Sequence, residues 1–420
     1  MTGAFRFINT ASKQLRLQNK FPACKQGRSW LAQTYQRALS SEDCKRVNGQ
    51  EGDAKISKLR PKQYKFFSIG HVLLDHTAQL HANEMDLLRT FHIPPNTKGE
   101  LDFQTLRKLK QEVCKRVKCV ESPGGSALNT VRILTHLGEN ALFIGSIGDD
   151  EAGQKLQKCL KEQNIDVRLF TYKDIPTGEC VSIINMDTHD EVLYANIGAS
   201  DQINIDQMIQ VEQELHFLRP PERKQIIYIE GFMLPQCEEI CTHLVKNYVR
   251  GRRWLAINLS AEYVVRKHFD IIIELVCAAY FIFGNFKEFS ALADKMGFGA
   301  DLDQALKTIF EMSCSPRIII ITMDRDGIVL VANVEYESDK VGEVFYRRCS
   351  AVPVENVVDS TGAGDSFVAG FLHAFLNKYK LLDCVIVGSA VAAKVVTTIG
   401  CNLPKDFNVS TITNKMTKIK

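Results

Sequence analysis

The sequence predicts an α/β fold: a mainly parallel sheet covered by helices on both faces, with a small β-sheet lid over one edge. Three observations carry that reading. From Lys65 onward, short β-rich runs alternate with stretches of helical periodicity. Three strand-like runs, Val167 to Tyr172, Cys180 to Met186 and Val192 to Ile197, follow one another with no helix between. Two glycine turns, Pro123-Gly124-Gly125 and Gly362-Ala363-Gly364, each open directly into a helical pattern.

In order, Phe66 to Ile69 reads as a strand ending at Gly70, and Gln104 to Lys118 repeats apolar residues at helical spacing. Ala127 to Leu137 is helical, Ala141 to Ile147 a strand and Ala152 to Gln163 a helix. After the three consecutive strands, further strands fall at Ile226 to Ile229, Leu255 to Leu259, Tyr280 to Phe283 and Ile318 to Thr322. Helices alternate with them at Glu238 to Val249, Tyr263 to Ala279, Glu288 to Lys295 and Leu302 to Met312. A hairpin is expected from Gly327 to Val334 and Val344 to Cys349, then closing helices at Gly364 to Asn377 and Leu382 to Thr398. Such alternation implies parallel strands joined by helical crossovers. The three consecutive strands, with the segment near 70–80, are expected to project as the lid beyond the carboxyl ends of the sheet, where ligands bind in open α/β folds.

Composition narrows the class. With 420 residues and 45% apolar content, the chain has material for a sizeable core. A net charge of +3 argues neither for nor against nucleic acid. The most apolar stretch, Ile271 to Phe283, carries Glu274 and is too short to span a bilayer. Thirteen cysteines, an odd number without a Cys-x-x-Cys pair, read as reduced thiols. Cys237 and Cys241 lie four apart on an expected helix, with no further residues to complete a zinc set. Residues 1–62 are expected to be a basic extension and linker, 63–407 the folded domain and 408–420 a tail. Up to Ser41 the chain has seven basic residues and no acidic one, as in a mitochondrial targeting peptide or a disordered basic arm.

The chemistry concentrates at the glycine turns. In Asp359-Ser360-Thr361-Gly362-Ala363-Gly364-Asp365, small residues let backbone N–H groups approach an anion, and the helix start adds unpaired donors and a positive dipole end. Asp365 stands where it can accept a proton from an attacking hydroxyl, which points to phosphoryl transfer to an alcohol. Taken alone, such a turn is as often a structural connection, and no Gly-Lys-Ser/Thr makes it a Walker loop. Upstream, Asp75, Gly125 and Asn129 suit the paired hydroxyls of a ribose, although a turn Asp and a helix-start Asn each have ordinary structural uses.

Together these segments resemble the ribokinase-like (PfkB) family of carbohydrate and nucleoside kinases. Gly-Gly-x-x-x-Asn at 124–129 and Asp-x-Thr-Gly-Ala-Gly-Asp at 359–365 correspond to its two signatures. Gly70 to Asp75, Pro176 to Cys180, Leu193 to Asn196, Ile229 to Phe232, Asn258 to Ala261 and Gly400 to Pro404 follow in the expected order and point to its nucleoside-phosphorylating branch. The resemblance implies ATP-dependent phosphorylation of the 5′-hydroxyl of adenosine to AMP, in purine salvage. Asp75, Gly125 and Asn129 would hold the ribose, Phe232 would stack on the base, and Leu73, Leu193 and Ala195 would line the pocket. Asp365 would be the base, with Gly362, Ala363 and Gly364 as the anion hole. Thr322, Gly327 and Thr361 would contact ATP, while Asn285 and Glu288 would organise Mg²⁺ through water. A monovalent cation, a monomeric state and a cytoplasmic or nuclear location also follow from the resemblance; the basic N-terminus argues for the mitochondrion instead. Neither nucleic acid nor membrane is an expected partner.

Four positions depart from the family pattern: His71 replaces Asn, Asp324 replaces glycine, and Glu262 replaces proline. Asp190-Glu191 stands where the family has a lid arginine, with His189 as a substitute donor. A kinase for another nucleoside or furanose, or a nucleoside-binding protein with weak or no catalysis, stays open on these grounds.

Overall fold

Fourteen strands are defined in the computed structural model, which describes residues 64–188, 190–215, 224–249, 252–312, 315–336, 340–414, 416 and 418. The basic segment 1–62, part of the tail and His189 lie outside the described residues.

The strands are β1 Phe66–Ile69, β2 Leu73–Leu80, β3 Lys98–Glu100, β4 Val120–Gly124, β5 Ala141–Gly148, β6 Asp166–Tyr172 and β7 Gly178–Asn185. They continue as β8 Glu191–Asn196, β9 Gln225–Glu230, β10 Arg253–Asn258, β11 Phe281–Asn285, β12 Ile318–Thr322, β13 Ile328–Ala332 and β14 Phe345–Cys349. Nine form the main sheet in the order β14-β13-β12-β11-β10-β9-β1-β5-β6. Pairings from β12 through β6 are parallel; only the β12-β13-β14 edge is antiparallel. The central strands are apolar on both faces, as β9 (Gln-Ile-Ile-Tyr-Ile-Glu) and β12 (Ile-Ile-Ile-Ile-Thr) illustrate, because helices cover both sides.

The lid differs from the expectation in its membership. The run near 167–172 is not a lid strand: β6 pairs in parallel with β5 from Leu142–Asp166 to Gly148–Tyr172. The helix Glu151–Glu162 between them is long enough to make that crossover. The lid comprises five strands in the order β3-β8-β7-β2-β4. Asp75 therefore lies inside a lid strand, and Pro123-Gly124 ends another before the turn.

Two-residue periodicity gives this lid two distinct faces. Ala78, Val181, Ile183 and Val192 join Leu106, Leu109 and Val113 of the helix Phe103–Arg116 in one apolar cluster. That helix is capped by Asp102, whose side chain accepts from the backbone N–H groups of Gln104 and Thr105 at 3.0 Å. Leu73, Cys180 and Ala195 form a separate cluster with half-buried Leu193 on the other face. The lid joins the main body through Thr177, whose hydroxyl donates to Asp150 at 2.6 Å and accepts from Gly148 N–H at 2.9 Å. This accounts for the Pro-Thr-Gly segment before β7.

Two further sequence expectations are adjusted. The helix expected over Tyr263 to Ala279 is two, Glu262–Lys267 and Phe269–Ala278, broken at His268 (φ −115°, ψ 34°). Glu262 takes the first helical position, where proline is favoured for its fixed φ and a carboxylate for the dipole, so the substitution keeps the helix start. The helix Ala363–Leu376 is held on the sheet by aromatic edges: Phe371 meets Phe283 at 5.6 Å and Phe375 meets Phe281 at 4.9 Å between ring centroids. Each buried phenyl ring stabilises by roughly 1.5–3 kcal/mol, so the start of this helix is firmly placed. Among the described residues no helix is long and apolar enough to cross a membrane.

Candidate active site

The two glycine turns meet at one carboxylate. Asp365, in the first turn of the helix Ala363–Leu376, accepts from Ser126 Oγ at 2.7 Å and from Asn129 Nδ2 at 3.1 Å. Ser126 and Asn129 belong to the helix Ser126–His136, which follows the upstream turn. Burial pushes the Asp365 carboxyl above its ordinary range, and these two donors and Lys98 oppose that rise. The result is a carboxylate more basic than an exposed one and oriented at both oxygens.

Glycine is required at both turns for physical reasons. Gly362 has φ +73°, and a Cβ there would lie 2.4 Å from Cys401 Sγ. Gly125 has φ +106°, and its Cβ would lie 2.1 Å from the His71 carbonyl oxygen. Beside Gly364 nothing lies within 4 Å of a built Cβ, so its backbone faces open space. The Gly364 and Asp365 amides fall in the first turn, where a helix supplies no carbonyl partner. Ala363 N–H is occupied by Ser360 O at 3.2 Å. Asp359 closes the loop from behind, accepting from Thr361 N–H at 2.8 Å and Gly400 N–H at 2.7 Å.

Asp75 and Glu230 share this neighbourhood, each interacting electrostatically with Asp365. The Asp75 carboxylate rests on Gly124, where a Cβ would come within 2.0 Å of its Oδ2. Burial pushes Asp75 up to about 7; Arg132 opposes the shift, while Asp359, Glu191 and Asp365 add to it. Arg132 was not singled out from the sequence. It is buried and donates to Asn129 Oδ1 at 3.2 Å, Pro123 O at 2.8 Å and Asn402 Oδ1 at 2.7 Å, so it fixes Asn129 and the β4 end together. Leu73 and Ala195 are in contact in one cluster with Leu193 against it. Phe232 lies just past β9, its ring 6.4 Å from that of Tyr263, a second aromatic that sequence reasoning missed.

His71, the residue in place of Asn, is buried with its Nε2 2.9 Å from Asp201 Oδ1. Burial alone would lower its pKa, but Asp201 and Glu230 outweigh that and raise it. Glu230 is itself pushed by burial up to about 7, His71 opposing, and it accepts from Phe232 N–H at 3.2 Å. Glu191, the lid carboxylate, is buried and bonded, with no local signal for either contact: it accepts from Thr361 Oγ1 at 2.5 Å and pairs with Lys98 Nζ at 2.9 Å.

Thr322 ends β12 and Gly327, with φ +91°, immediately precedes β13, on the loop expected to meet nucleotide. Asp324, between them, has φ +46°, a left-handed conformation that suits glycine and that Asp tolerates. Asn285 and Glu288 form a reciprocal helix cap: Glu288 N–H donates to Asn285 Oδ1 at 2.9 Å, and Asn285 N–H donates to Glu288 Oε2 at 2.9 Å. Both Glu288 oxygens are engaged, Oε1 by Asn285 Nδ2 at 2.7 Å. Each Glu288 oxygen already accepts one hydrogen bond, so a nucleotide-borne cation would be met most simply through water. Among the described residues no group of three or more His, Cys, Asp or Glu side chains is arranged to hold a metal ion.

A buried carboxylate at a helix start, below a lid bearing a second carboxylate, suits a phosphotransferase for a hydroxylated substrate. The chain belongs to the pfkB family of carbohydrate kinases, whose profile matches residues 99–408. Among curated relatives, adenosine kinase 2 of Arabidopsis thaliana is 24% identical over 296 residues, covering 68% of this chain and 81% of the relative. The adenosine kinase of Schizophyllum commune is 25% identical over 346 residues, covering 80% and 96%. Among solved structures, Anopheles gambiae adenosine kinase in complex with P1,P4-di(adenosine-5) tetraphosphate has a TM-score of 0.67 at 23% identity, covering 80% and 96%. A probable sugar kinase from Rhizobium etli has a TM-score of 0.69 at 20% identity, covering 84% and 98%. At these identities the structural likeness shows the shared fold.

The Ser126 hydroxyl lowers the pKa of Asp365, so its removal raises that pKa further. If Asp365 is the base, Ser126→Ala shifts the acid limb of the kcat/KM–pH profile to higher pH, because the working carboxylate is then protonated over a wider range. An unmoved or lowered limb contradicts this link.

Proposed function

We propose that the chain transfers the γ-phosphoryl group of ATP to the 5′-hydroxyl of adenosine, giving AMP and ADP, a purine-salvage reaction. The observation that carries this reading is the Asp365 carboxylate, held at a helix start by two donors from the helix after the facing glycine turn. In the transfer, Asp365 takes the 5′ proton as the O5′–P bond forms. The bond from Pγ to the bridging oxygen breaks and its electron pair leaves with ADP. The Gly364 and Asp365 amides and the helix dipole take up charge on the moving group. Asp75, Gly125 and Asn129 hold the ribose, while Thr322, Gly327 and Thr361 meet the nucleotide. Asn285 and Glu288 would hold the Mg²⁺ of ATP through water, and the ion would supply positive charge against the phosphates.

Magnitudes rank these contributions. Positioning a hydroxyl against a phosphoryl group supplies up to ~7–11 kcal/mol of a barrier, whereas general base catalysis contributes about 10²–10⁴ in rate. Holding both substrates between lid and sheet therefore matters at least as much as the base.

A sugar kinase is the second reading, favoured by the likeness to the Rhizobium etli protein. The Phe232–Tyr263 ring pair and the Leu73, Leu193 and Ala195 surface favour a substrate bearing a flat base over a free furanose. The lid's outer face is covered by the chain's own helix Phe103–Arg116, which supports a monomer.

With Mg-ATP and potassium present, adenosine should yield AMP, and free ribose should compete weakly. Asp365→Asn should lower kcat by about 10² or more with adenosine binding nearly kept; an unchanged kcat would remove Asp365 as base, and preference for ribose would replace the substrate. Sedimentation at micromolar concentration should give one species near 47.3 kDa, whereas a dimer would overturn the monomer.

A further inference from the structure

Phosphoryl transfer gathers negative charge beside a loop that this chain already surrounds with carboxylates: Asp75, Glu191, Asp359 and Asp365 interact electrostatically around it. A cation is needed to balance them. Lys98 lies on the edge strand β3, beside Leu193 of β8. Its ammonium pairs with Glu191 Oε2 at 2.9 Å, while the Glu191 Oε1 accepts from Thr361 of the glycine loop at 2.5 Å and from Ser182 at 3.2 Å. One carboxylate thus grips both the lid and the loop.

We propose that Glu191 docks the lid on Thr361 and in doing so holds Lys98 over the glycine loop, where the Lys98 ammonium balances charge on the transferring phosphoryl group. This rests on the kinase reading above. The exposures of the two groups fit these separate tasks: the Glu191 side chain is 7% exposed and Lys98 62% exposed, so the acid is a buried anchor and the ammonium stays open to an incoming anion. Burial works to raise the Glu191 pKa, but Lys98, Thr361 and Ser182 outweigh it, and Glu191 stays charged. The Lys98 field also reaches Asp365, lowering its pKa. Both Glu191 oxygens are engaged, Oε2 by Lys98 and Oε1 by Thr361 and Ser182, so the acid turns towards its own donors.

The test uses the full chain and three variants, Lys98→Met, Lys98→Arg and the double variant Lys98→Met/Glu191→Gln, with both kcat and adenosine affinity measured. Lys98→Met should lower kcat at least about tenfold with adenosine Kd nearly unchanged, and Lys98→Arg should recover most of the loss. The double variant, neutral at both positions, should stay slow, because the required charge is positive and not merely absent. Wild-type kcat in Lys98→Met, a loss that tracks adenosine Kd, or full recovery in the double variant would overturn the proposal. If the unsubstituted chain phosphorylates no adenosine, the substrate reading fails by itself. Lys98 is then judged by the Kd ratio of ADP to a non-hydrolysable ATP analogue: Lys98→Met should bring that ratio towards one, and an unaltered ratio would overturn the proposal.

Discussion

The hydrogen bonds from Ser126 and Asn129 to Asp365 tie together two glycine turns more than two hundred residues apart in sequence. Everything else in the site is arranged so that this junction can exist. Gly125 and Gly362 take conformations and clearances that a side chain would destroy. Phe371 and Phe375 lock one helix on the sheet, and Arg132 locks the other to β4 and Asn402. Rigid elements on both sides leave the carboxylate one orientation, which is the preorganisation that phosphoryl transfer requires.

Burial and charge are balanced closely in the cleft. Asp75 and Glu230 are both pushed up to about 7 by burial, and Asp365 is raised from the same cause. Such groups gather at functional sites because water is excluded there while several carboxylates face one space. Arg132, Lys98 and His71 oppose these shifts from different parts of the cleft: beside Asp75, at the lid edge and past the end of β1. The lid separates its tasks by strand alternation, one face packing on its own helix and the other presenting Leu73, Asp75 and Ala195.

Much of this was legible in the sequence. The strand-helix alternation, both glycine turns, Asp365, Asp75 and Asn129 all carry local signals, since a glycine-rich helix start is a chain-local feature. What was not legible depends on pairing. Val167 to Tyr172 reads as a strand in any sheet, and only its register with β5 assigns it to the main one. Lys98 stands in a three-residue strand with no apolar alternation, and its meeting with Glu191 depends on β3 joining β8, ninety-odd residues later. Ser126 and Arg132 sit in an apolar helix where nothing in their spacing marks a role. Asp324 and Glu262 looked like departures, yet the backbone explains both, one by a left-handed turn and the other by a helix start.

The most direct measurement is a crystal structure of the chain with adenosine and a non-hydrolysable ATP analogue. The account predicts an Asp365 oxygen within hydrogen-bonding distance of the adenosine 5′-oxygen, with the Gly364 amide directed at the terminal phosphate. Asp365 turned away from that hydroxyl, or the phosphates bound elsewhere than the Gly362–Asp365 turn, would contradict it.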